Sequence, residues 1–447
     1  MNREQDIPTR QATLEQMVED LLKEAREQGA SSAEAAASFD SGLAINVRKG
    51  DVETIEHTRD QGLGVTVYFG QRKGSASTSD FKPEAIRETV RAACNIARYT
   101  NEDPCSGLAE AELMAGDLPD LDLYHPWDIT PEEAIELGIR CERAALDLDP
   151  RISNTEGAGI NTHSGLHVYG NSHGFVGGYP SSRHSLSCSV IGRQEQSMQR
   201  DYWYTVARRA EQLEPEAEVG RIAAERTLAR LGARKIGTCQ VPVIFRADVA
   251  GSLLRSLISA ISGSSLYRKA SFLLDQLGEP VFPSYIQIQE NPRMPGGLGS
   301  ASFDSEGVAT RDKQIIRDGV LQTYLLGSYS ARKLGLQSTG NAGGVHNVSI
   351  TPGDQDLDGL LRQMDRGLLV TEMMGQGVNM VTGDYSRGAS GFWVEQGEIQ
   401  YPVEEITIAG NLKQMFSQLL AVGNDLDLRS SIRTGSLLIE RMTVAGE

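Results

Sequence analysis

Between two glycines, residues 383 to 388 read Gly-Asp-Tyr-Ser-Arg-Gly. A carboxylate, a phenol, a hydroxyl and a guanidinium on a glycine-framed loop after a strand-like run have the make-up of a reaction site. Ser386 is the nucleophile such a site would use, yet no histidine stands near it in sequence to take its proton. The plainer expectation is a structural clamp at a hairpin end, with Arg387 paired to Asp384. A second candidate, Gly170-Asn171-Ser172-His173-Gly174, fits G-x-S-x-G. A nucleophile elbow needs a helix directly after the serine. The run that follows, FVGGYPSS, has no helical character, so a hairpin turn is expected at Ser172. His163 and His167 have the spacing that, on a helix, lets two imidazoles share one zinc. Their setting, NTHSGLHVYG, is strand-like. Four residues along a strand span roughly 13 Å, which two zinc–nitrogen bonds of about 2 Å do not bridge. From residue 236 onward the chain has one histidine, His346, and one cysteine, Cys239. That pair alone does not make a His/Cys zinc site. His346 and Asn347 lie in the glycine-rich run STGNAGGVHN, which can approach a peptide backbone closely. The candidates for a substrate or partner groove are therefore His346, Asn347, Asp384 and Arg387. No G-x-G-x-x-G or phosphate-binding P-loop occurs.

These residues need elements to hold them. Apolar residues at Leu14, Met17, Val18, Leu21, Leu22 and Ala25 predict a helix over residues 13 to 28, with Thr13 and Gln16 as a capping box and Gly29 as the stop. Strand-like runs cover 34 to 48, 51 to 58 and 62 to 70, and a helix over 83 to 98 opens on Pro83. A like unit follows: Thr130, Pro131 and Glu133 cap a helix, strands run from 151 to about 207, and residues 215 to 231 form a helix. The acidic stretch between the units, NEDPCSGLAEAELMAGDLPDLDLYHPWD, reads as a linker. A new strand, TCQVPVIF, leads into a helix over 247 to 262. Asp318-Gly319 marks a hairpin turn. FWVEQGEIQYPV reads as another hairpin, and helices near 328 to 334, 355 to 365 and 411 to 421 alternate with strands. The expected fold is α+β: two domains, 1–235 and 236–447, with mainly antiparallel sheets and flanking helices. The first domain would be an internal duplication of about 1–105 and 122–235.

Composition narrows the function classes. The chain has 447 residues, 43 basic against 60 acidic, for a formal charge of -17. That sign opposes sequence-independent binding to phosphate backbones, so no direct nucleic-acid partner is expected. Cys94, Cys105, Cys141, Cys188 and Cys239 form no C-x-x-C pair, which fits a reduced, cytoplasmic protein. The N-terminus shows no apolar signal core, and no run approaches the ~20 apolar residues that span a bilayer. No membrane association is expected.

Five segments together resemble the PmbA (TldE) branch of the TldD/PmbA family: VTGDYSRGASGFWVEQGEIQYPVEEITIAGNL, SFDSEGVAT, SYSARKLGLQSTGNAGG, NEDPCSG and GNSHG. The resemblance runs through nearly the whole chain. It implies a two-domain α+β subunit of a TldD–TldE metallopeptidase that acts on peptides and unfolded segments, peptide-antibiotic precursors and an antitoxin among them. The branch is also linked to a DNA gyrase pathway. The TldD branch carries H-E-x-x-x-H on the helix after the first strand of its C-terminal domain, and a cysteine ligand near its C-terminus. By that match Arg255 stands at the first His, Ser256 at the Glu, Ala260 at the second His and Thr434 at the cysteine. The resemblance thus implies a chain without catalytic or metal-binding residues of its own. Zinc would then lie in a partner chain, a TldD-like homologue with the intact motif. The alternatives are a self-sufficient hydrolase that uses Ser386 or a carboxylate-bound metal, and a binding protein that acts on a DNA gyrase pathway without proteolysis.

Overall fold

A computed structural model describes residues 7–446. The first half contains α1 (Ile7–Glu27), β1 (Ser32–Arg48), β2 (Asp51–Phe69), β3 (Arg72–Thr78) and α2 (Pro83–Tyr99). It continues with α3 (Pro131–Leu146), β4 (Ile152–Asn171), β5 (Val176–Gln194), β6 (Ser197–Ala207) and α4 (Glu216–Ala229). The order helix, three strands, helix thus occurs twice. Both triplets join in one antiparallel sheet, β3-β2-β1-β4-β5-β6, with the repeats meeting at β1 and β4.

All four helices cover the same face of this sheet. Ala33, Ala35, Ala37, Leu43, Ile45 and Val47 alternate inward along β1. Across the ladder Ala37 meets Val168 and Ile45 meets Ile160. Leu14, Val18, Leu21 and Ala25 of α1, with the buried stripe of α2, close one core over this face. Ala134, Cys141 and Ala145 of α3 and Val219, Ala223 and Ala224 of α4 close a second. α3 and α4 approach so closely that a side chain on Gly220 would meet the Cys141 carbonyl at 2.1 Å. The opposite face carries small and polar groups, such as Ser38, Asp40, His163, Gly165 and His167.

The second half begins with β7 (Cys239–Phe245), α5 (Ala247–Ala260) and α6 (Gly263–Tyr267). Next come β8 (Ile288–Glu290), β9 (Lys313–Arg317), β10 (Val320–Leu321), α7 (Ser328–Leu334) and β11 (Val348–Ile350). The chain continues with α8 (Leu357–Met364), β12 (Gly367–Met374), β13 (Asp384–Glu395) and β14 (Glu398–Asn411). It ends with α9 (Leu412–Ser417), β15 (Leu419–Val422), β16 (Ile432–Arg433) and β17 (Leu437–Ala445). One sheet runs β10-β9-β8-β11-β16; the other runs β14-β13-β12-β7-β17-β15, and a β14–β17 pairing curls it toward closure. Among these described strands, β7–β12 and β11–β16 are the parallel pairs. The fold is α+β with mainly antiparallel sheets, as expected.

Several boundaries differ from the sequence reading. α1 starts by Ile7, so Thr13 is no cap; its hydroxyl donates to the Thr9 carbonyl at 2.8 Å inside the helix. The apolar stripe begins at Leu14, but the backbone helix needs no apolar residue to extend upstream of it. The runs 51 to 58 and 62 to 70 are one strand, because β1 offers an unbroken ladder opposite residues 54 to 68. The predicted helix over 411 to 421 is α9 followed by β15. Thr130 and Glu133 do form a capping box, and Asp318-Gly319 and Gln396-Gly397 turn with positive φ at both residues. Thr130→Ala should lower stability by about 1 kcal/mol, read from denaturant unfolding midpoints; an unchanged midpoint would mean the cap contributes nothing.

The acidic stretch after α2 is strapped to the second half rather than hanging as a linker. Tyr329 donates to Asp103 at 2.7 Å, and the Arg332 guanidinium donates to the Cys105 and Gly107 carbonyls, each at 3.2 Å. A second contact lies at the N-terminus of α5. Asp248 takes Arg246 and Arg226, and Arg226 and Arg230 also reach Asp201 on β6. Burial alone would raise the Asp248 pKa; the two guanidinium groups outweigh it and hold the carboxyl at about 2.

Candidate functional site

The helix that the family resemblance singles out is α5. Its apolar side, Ala250, Leu253, Leu254, Leu257 and Ala260, is buried against the β-sheet core. Its outer side carries Ser252, Arg255, Ser256 and Ser259. Arg255 is exposed, and among the described residues its guanidinium hydrogen-bonds only to the Ser430 hydroxyl, at 3.5 Å. The Ser256 hydroxyl donates back to the Ser252 carbonyl at 3.1 Å. Ala260 is 0% exposed, inside the core. Successive residues turn about 100° on a helix, so Ala260 lies about 140° around the axis from Arg255. Thr434 is 1% exposed and donates to the Gly435 carbonyl at 2.8 Å.

This donor set does not fit a zinc ion. A guanidinium has no lone pair to give and stays protonated. Ala260 has no donor atom, and both hydroxyls are turned to backbone carbonyls. Among the described residues no group of three or more His, Cys, Asp or Glu side chains converges with metal-binding geometry.

Asp384, Tyr385, Ser386 and Arg387 open β13 rather than sitting on a loop; the turn lies before them, over 380 to 382, and Gly383 follows it with φ +82. The expected Arg387–Asp384 pair does not form. Residues three apart on a strand point to opposite faces. Asp384 instead accepts from the Thr382 hydroxyl at 2.7 Å and the Asn411 amide at 3.1 Å. These bonds hold its carboxyl below the usual range. Arg387 lies on the inner side with Tyr385, its Nε buried without a hydrogen-bond partner. Tyr385 donates to the Met373 sulfur at 3.1 Å, and burial pushes its hydroxyl up to about 12. Ser386 faces outward, and its amide donates to the Gly377 carbonyl at 2.7 Å.

His346 and Asn347 are buried, not groove-lining. They belong to a cluster built around Glu290, whose side chain is 0% exposed. Glu290 accepts from the His346 amide at 2.7 Å, Lys313 Nζ at 2.8 Å and Asn341 Nδ2 at 3.0 Å; His346 Nδ1 stands at 3.1 Å. Burial alone would raise the Glu290 carboxyl; bonds from His346 and Lys313 outweigh it and hold it at about 2. Asn347 donates to the Ser300 hydroxyl at 2.6 Å and accepts from the Gly299 amide at 2.9 Å. The cluster pins the glycine-rich loop 338 to 347 to β8 and β9. Sequence reading missed Glu290, though its signal was present: Ile286, Ile288 and Glu290 alternate, which places a carboxylate on a buried strand face.

In the first half, Ser172 lies in the turn between β4 and β5, where its hydroxyl accepts from the Ala33 amide at 3.0 Å. His163 reaches Asp40 at 3.1 Å. His167 shares its sheet face, and burial lowers its pKa.

Comparison with known proteins places this architecture. Three domain models of the PmbA/TldA metallopeptidases match: domain 1 over residues 33–97, the central domain over 124–231 and the C-terminal domain over 238–446. The chain belongs to the TldD/PmbA family, in its PmbA (TldE) branch. It is 54% identical over 415 residues to Metalloprotease PmbA of Escherichia coli O157:H7, covering 93% of this chain and 92% of that one. A crystal structure from Bacteroides thetaiotaomicron, described as a candidate modulator of DNA gyrase, superposes with a TM-score of 0.92 at 30% identity, covering 97% of this chain and 98% of that one. TldE of Thermococcus kodakarensis shares the fold, with a TM-score of 0.80 at 20% identity over 96% of this chain and 100% of that one. Among the described residues no helix is long and apolar enough to cross a membrane.

Proposed function

We propose that this chain is the non-catalytic subunit of a cytoplasmic two-component metallopeptidase, and that its partner is a TldD-like homologue with an intact H-E-x-x-x-H. The observation that carries this reading is α5. At the matched positions it presents a guanidinium, a hydroxyl and a buried methyl, with the Thr434 hydroxyl at the fourth. A catalytic zinc site takes three ligands from His, Cys or carboxylate and leaves one position open for water. Zinc would therefore belong to the partner, and this chain would shape the peptide groove. The substrates would be peptides or unfolded segments, with maturation of peptide-antibiotic precursors and antitoxin degradation as the reactions implied. Any effect on a gyrase pathway would then run through proteolysis. At a charge of -17 the chain itself should bind DNA only weakly at physiological salt.

The rival reading makes Ser386 a nucleophile. In the second half the one histidine is His346, and it is held at Glu290. Among the described residues no hydrogen bond reaches the Ser386 hydroxyl. Ser386→Ala should leave the activity of the assembled complex within a few-fold of wild type, whereas loss of a nucleophile typically removes several orders of magnitude. A collapse in kcat with assembly and stability intact would support the serine. The subunit proposal itself is tested by mixing the purified chain with its H-E-x-x-x-H homologue. A stable complex that cleaves peptides, from components inactive apart, is expected; failure to associate would count against it.

A further inference from the structure

We propose that the outer edge of β2, from Asp51 to Gln61, docks an extended, positively charged stretch of unfolded polypeptide as one more strand of the sheet. β3 pairs with Leu63–Phe69, so among the described residues the rest of that edge carries no strand. Every residue from Asp51 to Gln61 is exposed. The Tyr68 carbonyl accepts from the Ser31 amide at 2.8 Å, on the β1 side of β2. Backbone groups alternate in direction along a strand, and the register is unbroken from Thr54 to Tyr68. Ile55, His57, Arg59 and Gln61 therefore turn their amides and carbonyls outward. Among the described residues no strand pairs with them.

The other half of the same sheet shows what this place takes. β5 is the counterpart of β2, and β6 pairs with it only from His184 onward. On the remaining edge an extended piece of this chain closes in. The Ser182 amide donates to the Leu123 carbonyl at 2.9 Å, the His125 amide to the Ser182 hydroxyl at 2.8 Å, and Arg208 to the Ser182 carbonyl at 2.9 Å. Among the described residues the first repeat shows no such segment.

Chemistry sets the occupant's charge. Asp51, Glu53, Glu56 and Asp60 outnumber Arg59 along the edge. Proteins guard free edges with lysine, proline, bulges or covering loops. The one bulge sits at Glu53, where the ladder to β1 shifts register; from Thr54 to Gln61 the edge has no Lys, Pro, Gly or bulge, and Ile55 stands 47% exposed. An incoming strand would gain backbone bonds for affinity and use its alternate side chains for selectivity. At the β3 end the edge runs into a groove of 660 Å³ lined by Ala36, Ser38, Gly62, Gly64, Ser77 and His167. Only the occupant's identity as a peptidase substrate rests on the proposed function; the edge does not.

The test uses the isolated chain and an unstructured dodecapeptide with lysine at alternate positions, beside a glutamate counterpart. Amide hydrogen exchange at Ile55, His57 and Arg59 should slow with the lysine peptide and not with the glutamate one. Glu53→Lys with Glu56→Lys should weaken binding roughly tenfold or more. His57→Pro removes one outward donor and spares the bonds to β1, so it should weaken binding while the thermal midpoint holds; if that variant misfolds, the charge reversal still decides. Unchanged exchange over 51 to 61, or equal binding of both peptides, overturns the proposal. So does protection that rises with protein concentration in the absence of peptide, which would make the edge a contact between chains. No partner or activity enters this assay, so its failure leaves the subunit reading standing, and the reverse holds too.

Discussion

Glu290→Ala is expected to destabilise the protein by about 3–5 kcal/mol at neutral pH, the usual effect of removing one partner from a buried ion pair. Glu290 is 0% exposed and Lys313 is nearly buried beside it. Removing the carboxylate takes the counter-charge from the Lys313 ammonium, which keeps Asn341 Oδ1 as acceptor, and leaves the His346 amide without its acceptor, while the Asn341 amide keeps the Gly344 carbonyl. Exchanging both charges for apolar groups, Glu290→Leu with Lys313→Met, should be less harmful than the single change, because no buried charge is then left alone. The same carboxylate predicts a pH dependence. Its folded pKa is about 2, below the ordinary ~4.3 of an unfolded glutamate. A depressed carboxyl contributes stability that is fully present above the unfolded value and is lost as pH falls through the folded one. Unfolding free energy should therefore drop between about pH 5 and pH 2, and Glu290→Ala should flatten that part of the curve. Denaturant titrations across this range give both numbers. A loss under ~1 kcal/mol would mean the cluster is not the anchor of the glycine-rich loop.

The other large effect concerns the proposed complex with a TldD-like homologue. Replacing the homologue's motif glutamate by glutamine should reduce peptidase activity by roughly 10²–10⁴-fold, the contribution typical of a positioned general base. Arg255→Ala or Ser256→Ala in this chain should move kcat only a few-fold, since neither side chain can carry a proton at neutral pH in the manner of a carboxylate or imidazole. Steady-state kinetics on matched complexes separate the two. A loss of comparable size from Ser256→Ala, with assembly intact, would return the chemistry to this chain.

What the sequence disclosed follows the range of the interaction. The Thr130–Glu133 capping box, the Asp318-Gly319 turn and the stripe of α5 depend on residues within a few positions, and each was legible. The unity of β2 was not. Arg59, Asp60, Gln61 and Gly62 look like a break, and only the facing ladder of β1 carries the strand through. The Arg387–Asp384 pair failed because it assumed a loop; once the segment is a strand, odd spacing separates the two side chains. The Glu290 cluster joins residues 23, 51 and 56 positions apart. No local pattern reports such distances, and alternation on β8 was the single available hint. His346 and Asn347 were singled out for the flexibility of their glycine-rich loop, whereas the structure uses them to fix it. The family match located α5 as the place to look, while the chemistry of its four positions came from the residues themselves.

Metal analysis and a peptidase assay on the purified chain, freed of its homologue, test the central claim most directly. Arg255, Ser256, Ala260 and Thr434 provide no ligand set, and Arg255 brings a positive charge to the place a cation would take. The isolated chain should carry no stoichiometric zinc and show no chelator-sensitive cleavage of peptides, and both should come with the homologue. One tightly held metal per chain, with activity lost to chelator and restored by zinc, would contradict the account outright.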